Sequence, residues 1–151
     1  MANIFDVAKF ILKSYRYGIS TRKLQKLTYF AQGWHLALTD KPLFAEDFEA
    51  WRNGPVSRDL YREHKGLYGI SIESLKKGNA GSLDSIEAAV VEVVIDNYGS
   101  LTGVQLSELT HQAGTPWSLA RESSGIGPDQ NAKVTIDKDA MKVHFKELLS
   151  L

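Results

Sequence analysis

Apolar residues recur three and four positions apart over most of this chain, the period of a helix with one buried face. Ile4, Val7, Ala8, Ile11, Leu12 and Tyr15 follow that spacing, with Gly18 as a stop. The next run, 23–38 "KLQKLTYFAQGWHLAL", starts just after Ser20 and Thr21, either of which can cap its free amides. Leu24, Leu27, Ala31, Trp34 and Leu38 share one side of that helix, Phe30 flanks it, and Tyr29 and Leu36 lie nearly opposite. A helix apolar on two sides either runs through the middle of a domain or offers its second face to a partner. Gly33 costs about 1 kcal/mol relative to Ala in a helix interior, so its presence predicts a second backbone passing close beside it.

After residue 40 the pattern loosens. Phe48 to Trp51 reads as a short strand, Asn53-Gly54 as a turn in which Gly54 takes positive φ, and Pro55 as the first residue of a helix reaching His64. In that helix Val56, Leu60 and Tyr61 point inward. Ile70–Ile72 and Lys133–Ile136 read as further short strands, and "KKGNAGS" and "SGIGPDQN" as loops. Asp84 with Glu87 and Thr102 with Gln105 form capping boxes. The first opens a helix with the stripe Ile86, Ala89, Val90, Val93, Val94 and Tyr98, and the second a helix with Leu106 and Leu109. Thr115-Pro116 starts a helix that packs Trp117 and Leu119, and Asp137 caps a last one carrying Met141, Phe145, Leu148 and Leu149. The fold class expected is mainly α (α+β): a compact helical domain of about six helices with a small β component, spanning 1–151.

Composition narrows the partners. The 151 residues carry no net charge, so no global field draws the protein to nucleic acid. No apolar run reaches the ~20 residues of a membrane span, the N-terminus lacks a signal-peptide pattern, and there is no cysteine. A cytoplasmic location, with no membrane partner, is the expectation. The charge is nevertheless uneven: six Lys/Arg against Asp6 and Asp40 in 1–40, and five acids with no Lys or Arg in 81–120. Either the two segments neutralise one another, or they are surfaces of opposite sign of which at least one meets a partner.

Reactive chemistry is sparse. The histidines His35, His64, His111 and His144 show no metal-ligand spacing, so no metal is predicted. His35 reads as a satisfied buried histidine, and His111 as an imidazole bonded to a free carbonyl at its helix end. No phosphate-cradling glycine loop and no nucleophile elbow occurs, so no cofactor and no catalytic residue is assigned. The stretch "STRKLQKLTYF" could open a DNA-recognition helix, but beyond Tyr29 it is too apolar to lie in a groove. A DNA-binding regulator and an unrecognised enzyme therefore stand only as alternatives of a different class.

Three blocks, "RKLQKLTYFAQGWHLAL", "PLFAEDFEAWRNGPV" and "LSELTHQAGTPWSLAR", occur in an order and spacing that resemble the Panacea domain, the SocA-like or phage-associated GepA-like family. The resemblance covers nearly the whole chain. It implies the antitoxin half of a bacterial or phage toxin–antitoxin pair, not an enzyme, that neutralises its cognate toxin by direct protein–protein contact. One branch of the family implies the alternative of a proteolytic adaptor that delivers its toxin to a AAA+ protease. Among the matching positions, Leu24, Leu27, Trp34, Trp51, Gly54, Pro55, His111, Pro116 and Trp117 are of the kinds that fix packing and turns. Thr21-Arg22 and Asn53 depart from the usual pattern, at places suited to a partner-specific surface. The candidate toxin-binding residues are Arg22, Lys23, Lys26, Tyr29, Phe30, Arg52, Asn53 and Arg58. Arg22 and Lys23 place positive charge in a first helical turn, against the macrodipole; a carboxylate of the chain itself or an acidic toxin surface could equally offset them.

Overall fold

The computed structural model describes residues 1–127, 130–131 and 133–150. Part of the loop expected over "SGIGPDQN", Pro128 and Asp129, lies outside them. Seven helices form among the described residues: α1 (Ile4–Leu12), α2 (Thr21–Thr39), α3 (Arg58–His64), α4 (Ser85–Tyr98), α5 (Gly103–His111), α6 (Pro116–Ser123) and α7 (Lys138–Leu149). Two antiparallel strand pairs accompany them. β1 (Ile19–Ser20) pairs with β4 (Gly69–Ile70), and β2 (Glu49–Trp51) with β3 (Gly54–Val56) in the register Glu49↔Val56, Ala50↔Pro55, Trp51↔Gly54. The mainly helical class with a small β component holds, with one helix more than expected.

Helix α2 is the centre of the molecule. It packs against α1, α4, α5 and α7, and thirteen of its nineteen residues are buried, which leaves little of it for a partner. Tyr29 and Leu36, on its second apolar side, are buried among its neighbours; Leu38 is exposed and Trp34 half-buried. Gly33 has a different cause from the one expected. The nearest atoms belong to a side chain and not to a backbone: the ring of Phe145 from α7 lies where a Cβ would stand, 2.1 Å from the ideal position.

The N-terminal caps anticipated from Ser20, Asp84, Thr102 and Thr115 all form, because each hydroxyl or carboxylate accepts from an amide three residues on. Asp137 occupies its N-cap position without a side-chain hydrogen bond. The helix expected from Pro55 begins only at Arg58. Gly54–Val56 pairs as a strand instead, and the Ser57 hydroxyl caps α3 through the amide of Leu60. Proline lacks the amide that a sheet interior uses but tolerates this short edge. Lys133–Ile136 approaches a third strand: Ala50 N donates to Val134 O and Ile136 N to Phe48 O, giving a bridge between Glu49 and Thr135. In α4 the buried side is Val90, Val91 and Val94, while Ile86 and Val93 face out. Leu109, Leu119 and Leu149 are likewise exposed, since these short helices bury only one narrow edge.

Candidate functional site

The hairpin β2–β3 offers a row of main-chain groups, and side chains from three helices capture them. On α2, the Gln25 amide reads both sides of Ser57, accepting from its N–H at 2.8 Å and donating to its carbonyl at 3.1 Å. The next residue, Lys26, donates through Nζ to Pro55 O at 3.0 Å. From α5, His111 Nε2 lies 2.9 Å from Arg52 O, while its Nδ1 meets Ser107 O near its own helix end. From α6, Trp117 Nε1 donates to Trp51 O at 2.6 Å and Arg121 to Ala50 O at 2.8 Å. The Ala50, Trp51, Pro55 and Ser57 carbonyls thereby gain side-chain donors. The three sequence blocks converge here because one element, the hairpin, needs all three.

Gly54 adopts φ +118°, and a Cβ there would meet Lys26 Cε at 2.6 Å. Both facts restrict the position to glycine. His35 is buried, its Nδ1 2.7 Å from Lys41 O, as a satisfied histidine should be. Three contributors escaped the reading of the sequence. Arg121 is buried, donates to carbonyls at Ala50, Gly127 and Gln130, and stacks over Trp117 at 5.1 Å. Gln32 holds Leu43 N and Phe44 O just as Gln25 holds Ser57. His64 receives the Gln25 amide at 3.0 Å, and burial, then the nearby Lys26, depress its pKa. The only advance signal for the glutamines was their seven-residue spacing, two helical turns apart on one face.

The candidate contact residues do not lie together on one surface. Tyr29 and Phe30 are buried in the aromatic core around Phe145, so a surface contact through these two is corrected; Lys26 is buried beneath Gly54 and meets the outside only through a cleft that it helps to line. Lys23 donates to Gly99 O at 2.6 Å and sits over the Tyr15 ring. Arg58 forms an ion pair with Glu49 at 3.0 Å, which also accepts from Trp51 Nε1. Arg22, Arg52 and Asn53 are exposed. No ion pair among the described residues joins a base of 1–40 to an acid of 81–120. What offsets Lys23 is the carbonyl end of α4, where a cation is favoured.

Arg22 separates two clefts. The larger, about 630 Å³, lies between Ile19–Lys23, Leu67–Tyr68 and Ser100–Val104. Exposed Tyr68, Leu67 and Val104 lie along it, with Tyr17 in an adjoining recess. The second, about 350 Å³, is walled by Arg22, Gln25, Lys26, Trp51, Arg52, Asn53, Tyr61 and His64. Among the described residues no three His, Asp or Glu side chains gather as a metal site, and no helix is long and apolar enough to cross a membrane.

Residues 24–118 match the family described as "Antitoxin SocA-like, Panacea domain". The chain belongs to that family. It is 32% identical over 138 residues to the antitoxin SocA of Caulobacter vibrioides (strain NA1000 / CB15N), covering 85% of this chain and 72% of that protein. No solved structure matches the chain. The Panacea match begins at Leu24 and ends at Ser118, so it contains the hairpin and the captors Gln25, Lys26, His111 and Trp117, while Arg22 and Arg121 fall outside.

Arg22 and Lys23, adjacent in sequence, should therefore respond differently to substitution. Lys23→Met leaves the Gly99 carbonyl without its cation and loses a charge-assisted bond worth about 1 kcal/mol at this half-exposed site. Its melting temperature should fall by roughly 2–4 °C. Arg22→Glu places an acid in a helix first turn and should leave melting unchanged or slightly higher. Thermal melts of the two single variants check this, and equal losses would show that Arg22 too is held by the fold.

Proposed function

We propose that this protein, one Panacea domain over residues 1–151, is the antitoxin of a bacterial or phage toxin–antitoxin pair. It acts in the cytoplasm, without catalysis, by binding its cognate toxin directly. The observation that carries this reading is Arg22, exposed between two clefts, with no carboxylate partner among the described residues. Arg52 and Asn53 line the second cleft with it, and Tyr68, Leu67, Val104 and Tyr17 supply apolar anchors at the first and its adjoining recess. Arginine and tyrosine are the side chains that most often dominate interface energies. Membership in a family described as antitoxins supports the role, and the exposed arginine and aromatic side chains around the start of α2 support direct contact.

The test is a toxin-inhibited reaction reconstituted with purified components, the toxin being the product of the adjacent reading frame. Rescue is expected at a near-equimolar ratio, with no protease or nucleotide present. Arg22→Glu should slow association and weaken its salt dependence. Rescue far below equimolar would indicate catalysis, and rescue only with an intact AAA+ protease would indicate a proteolytic adaptor.

A further inference from the structure

Lys26 is the least satisfied charged group in the core. It is 1% exposed, yet Pro55 O is its one hydrogen-bond partner among the described residues, which leaves two of the three ammonium donors without an acceptor there. No carboxylate among the described residues lies within ion-pair distance. The groups facing it sharpen the mismatch. Arg22 stands one helical turn earlier on α2, His64 approaches from α3, Arg52 lies on the hairpin turn and Thr110 comes from α5 across Gly54. None of these offers a negative charge. A buried cation without a counter-charge is costly, so packing alone gives no reason for a lysine where methionine would fill the same space.

The cleft beside it has the complementary defect. Arg22, Lys26 and Arg52 line it, Trp51 and Tyr61 form an aromatic wall with ring centroids 5.0 Å apart, and no aspartate or glutamate belongs to its described lining. At about 350 Å³ it has room for an acidic side chain together with part of the segment that carries it. We propose that this cleft is a receptor for one carboxylate of the partner protein, an aspartate or glutamate that enters between Arg22 and Arg52 and takes up the free donors of Lys26. The proposal rests on the antitoxin reading for the identity of the partner, and on the cleft alone for the chemistry. Trp51 and Tyr61 exclude water from the seated carboxylate, and a charge-assisted bond is strongest where water is absent. Arg22 thereby gains a role distinct from that of Lys23: it lies at the mouth of the receptor, whereas Lys23 closes α4.

Binding would then be linked to a proton. Burial first, and the Arg22 charge second, hold the Lys26 amine at about 7, well below the lysine range. A carboxylate binds only the ammonium form, so it must lift that value, and its affinity must fall as pH rises above 7, by up to about tenfold per unit.

The experiment uses the purified full chain with no toxin present, so it can fail while toxin rescue succeeds, and the reverse. Acetylated hexaglutamate amide is the probe, hexaglutamine the neutral control and inorganic phosphate the small-anion control. The Lys26 ε-carbon resonance is followed by NMR from pH 6 to 10. Hexaglutamate is expected to shift that resonance and to raise its titration midpoint by one unit or more, with at least tenfold weaker binding to Lys26→Met and to Arg22→Gln. Lys26→Met removes a buried charge, so its fold is expected to persist; matching circular dichroism spectra confirm it. An unmoved Lys26 titration in hexaglutamate overturns the receptor, as does equal binding by hexaglutamine. A response to phosphate that hexaglutamate cannot reproduce or displace overturns the partner carboxylate and leaves a small-anion site.

Discussion

Lys26→Met is expected to raise the melting temperature at pH 6 by several degrees and to abolish most of the stability gained on going to pH 9. Lys26 Nζ is buried with one acceptor, and its pKa is lowered from 10.5 to about 7 by burial and then by Arg22. The sign follows from proton counting. In the unfolded chain the lysine titrates at its ordinary value, so between pH 7 and about 10.5 the unfolded state holds a proton that the folded state has released. Stability must then rise with pH across that window, at up to about 1.4 kcal/mol per unit. Below pH 7 both states are protonated and the full cost of the buried charge is present. Methionine keeps the length and loses the charge; replacing buried ionic groups by apolar ones of similar volume gains about 1–4 kcal/mol in known cases. Melts of both proteins at pH 6, 7.5 and 9 decide it. Parallel curves, with the variant the less stable at every pH, would show that the folded protein matches the ammonium after all. A stabilised variant that binds its partner less well is the familiar exchange of stability for function.

Gly33→Ala is expected to destabilise the protein by about 1–3 kcal/mol, the range for overpacking a filled core, although alanine is the better helix former by about 1 kcal/mol. The added Cβ would lie 2.1, 2.4 and 2.5 Å from three carbons of the Phe145 ring. Moving the ring would also break its edge-on contacts with Tyr29, Phe30 and Trp34, whose centroids lie 6.1, 6.0 and 5.2 Å away. Phe145→Leu should also cost stability by leaving space. The double variant should lose less than the two single losses summed, by about 1 kcal/mol or more, since each change relieves the other. Strict additivity in denaturant melts would place the cause elsewhere than this contact.

These two positions also mark where sequence and structure part. The helical period and the hydroxyl and carboxylate caps at Ser20, Asp84, Thr102 and Thr115 were legible in the chain, whereas the two apolar sides of α2 left open whether it was central or faced a partner. The period and the caps depend on residues three or four apart, within reach of one helical turn. The positive φ at Gly54 was legible for the same reason: the turn demanding it is local. The family too was visible in its three blocks. What the chain could not show was which distant atom each motif residue serves. Gly33 makes room for an aromatic ring 112 residues further on, not for a backbone. Lys23 answers the carbonyl end of α4 and not an acid. Tyr29, Phe30 and Lys26, reasonable contacts on a helical wheel, are covered once α5, α7 and the hairpin close over α2, leaving Arg22, Arg52 and Asn53 exposed. A wheel assigns a side chain to a direction, and only the packing of all seven helices decides whether that direction ends in water. Pro55 follows the same rule. Its ring suits a helix start or a short edge strand equally, and it became strand because Ala50 stood across from it and Lys26 and Gln25 held the main chain on either side.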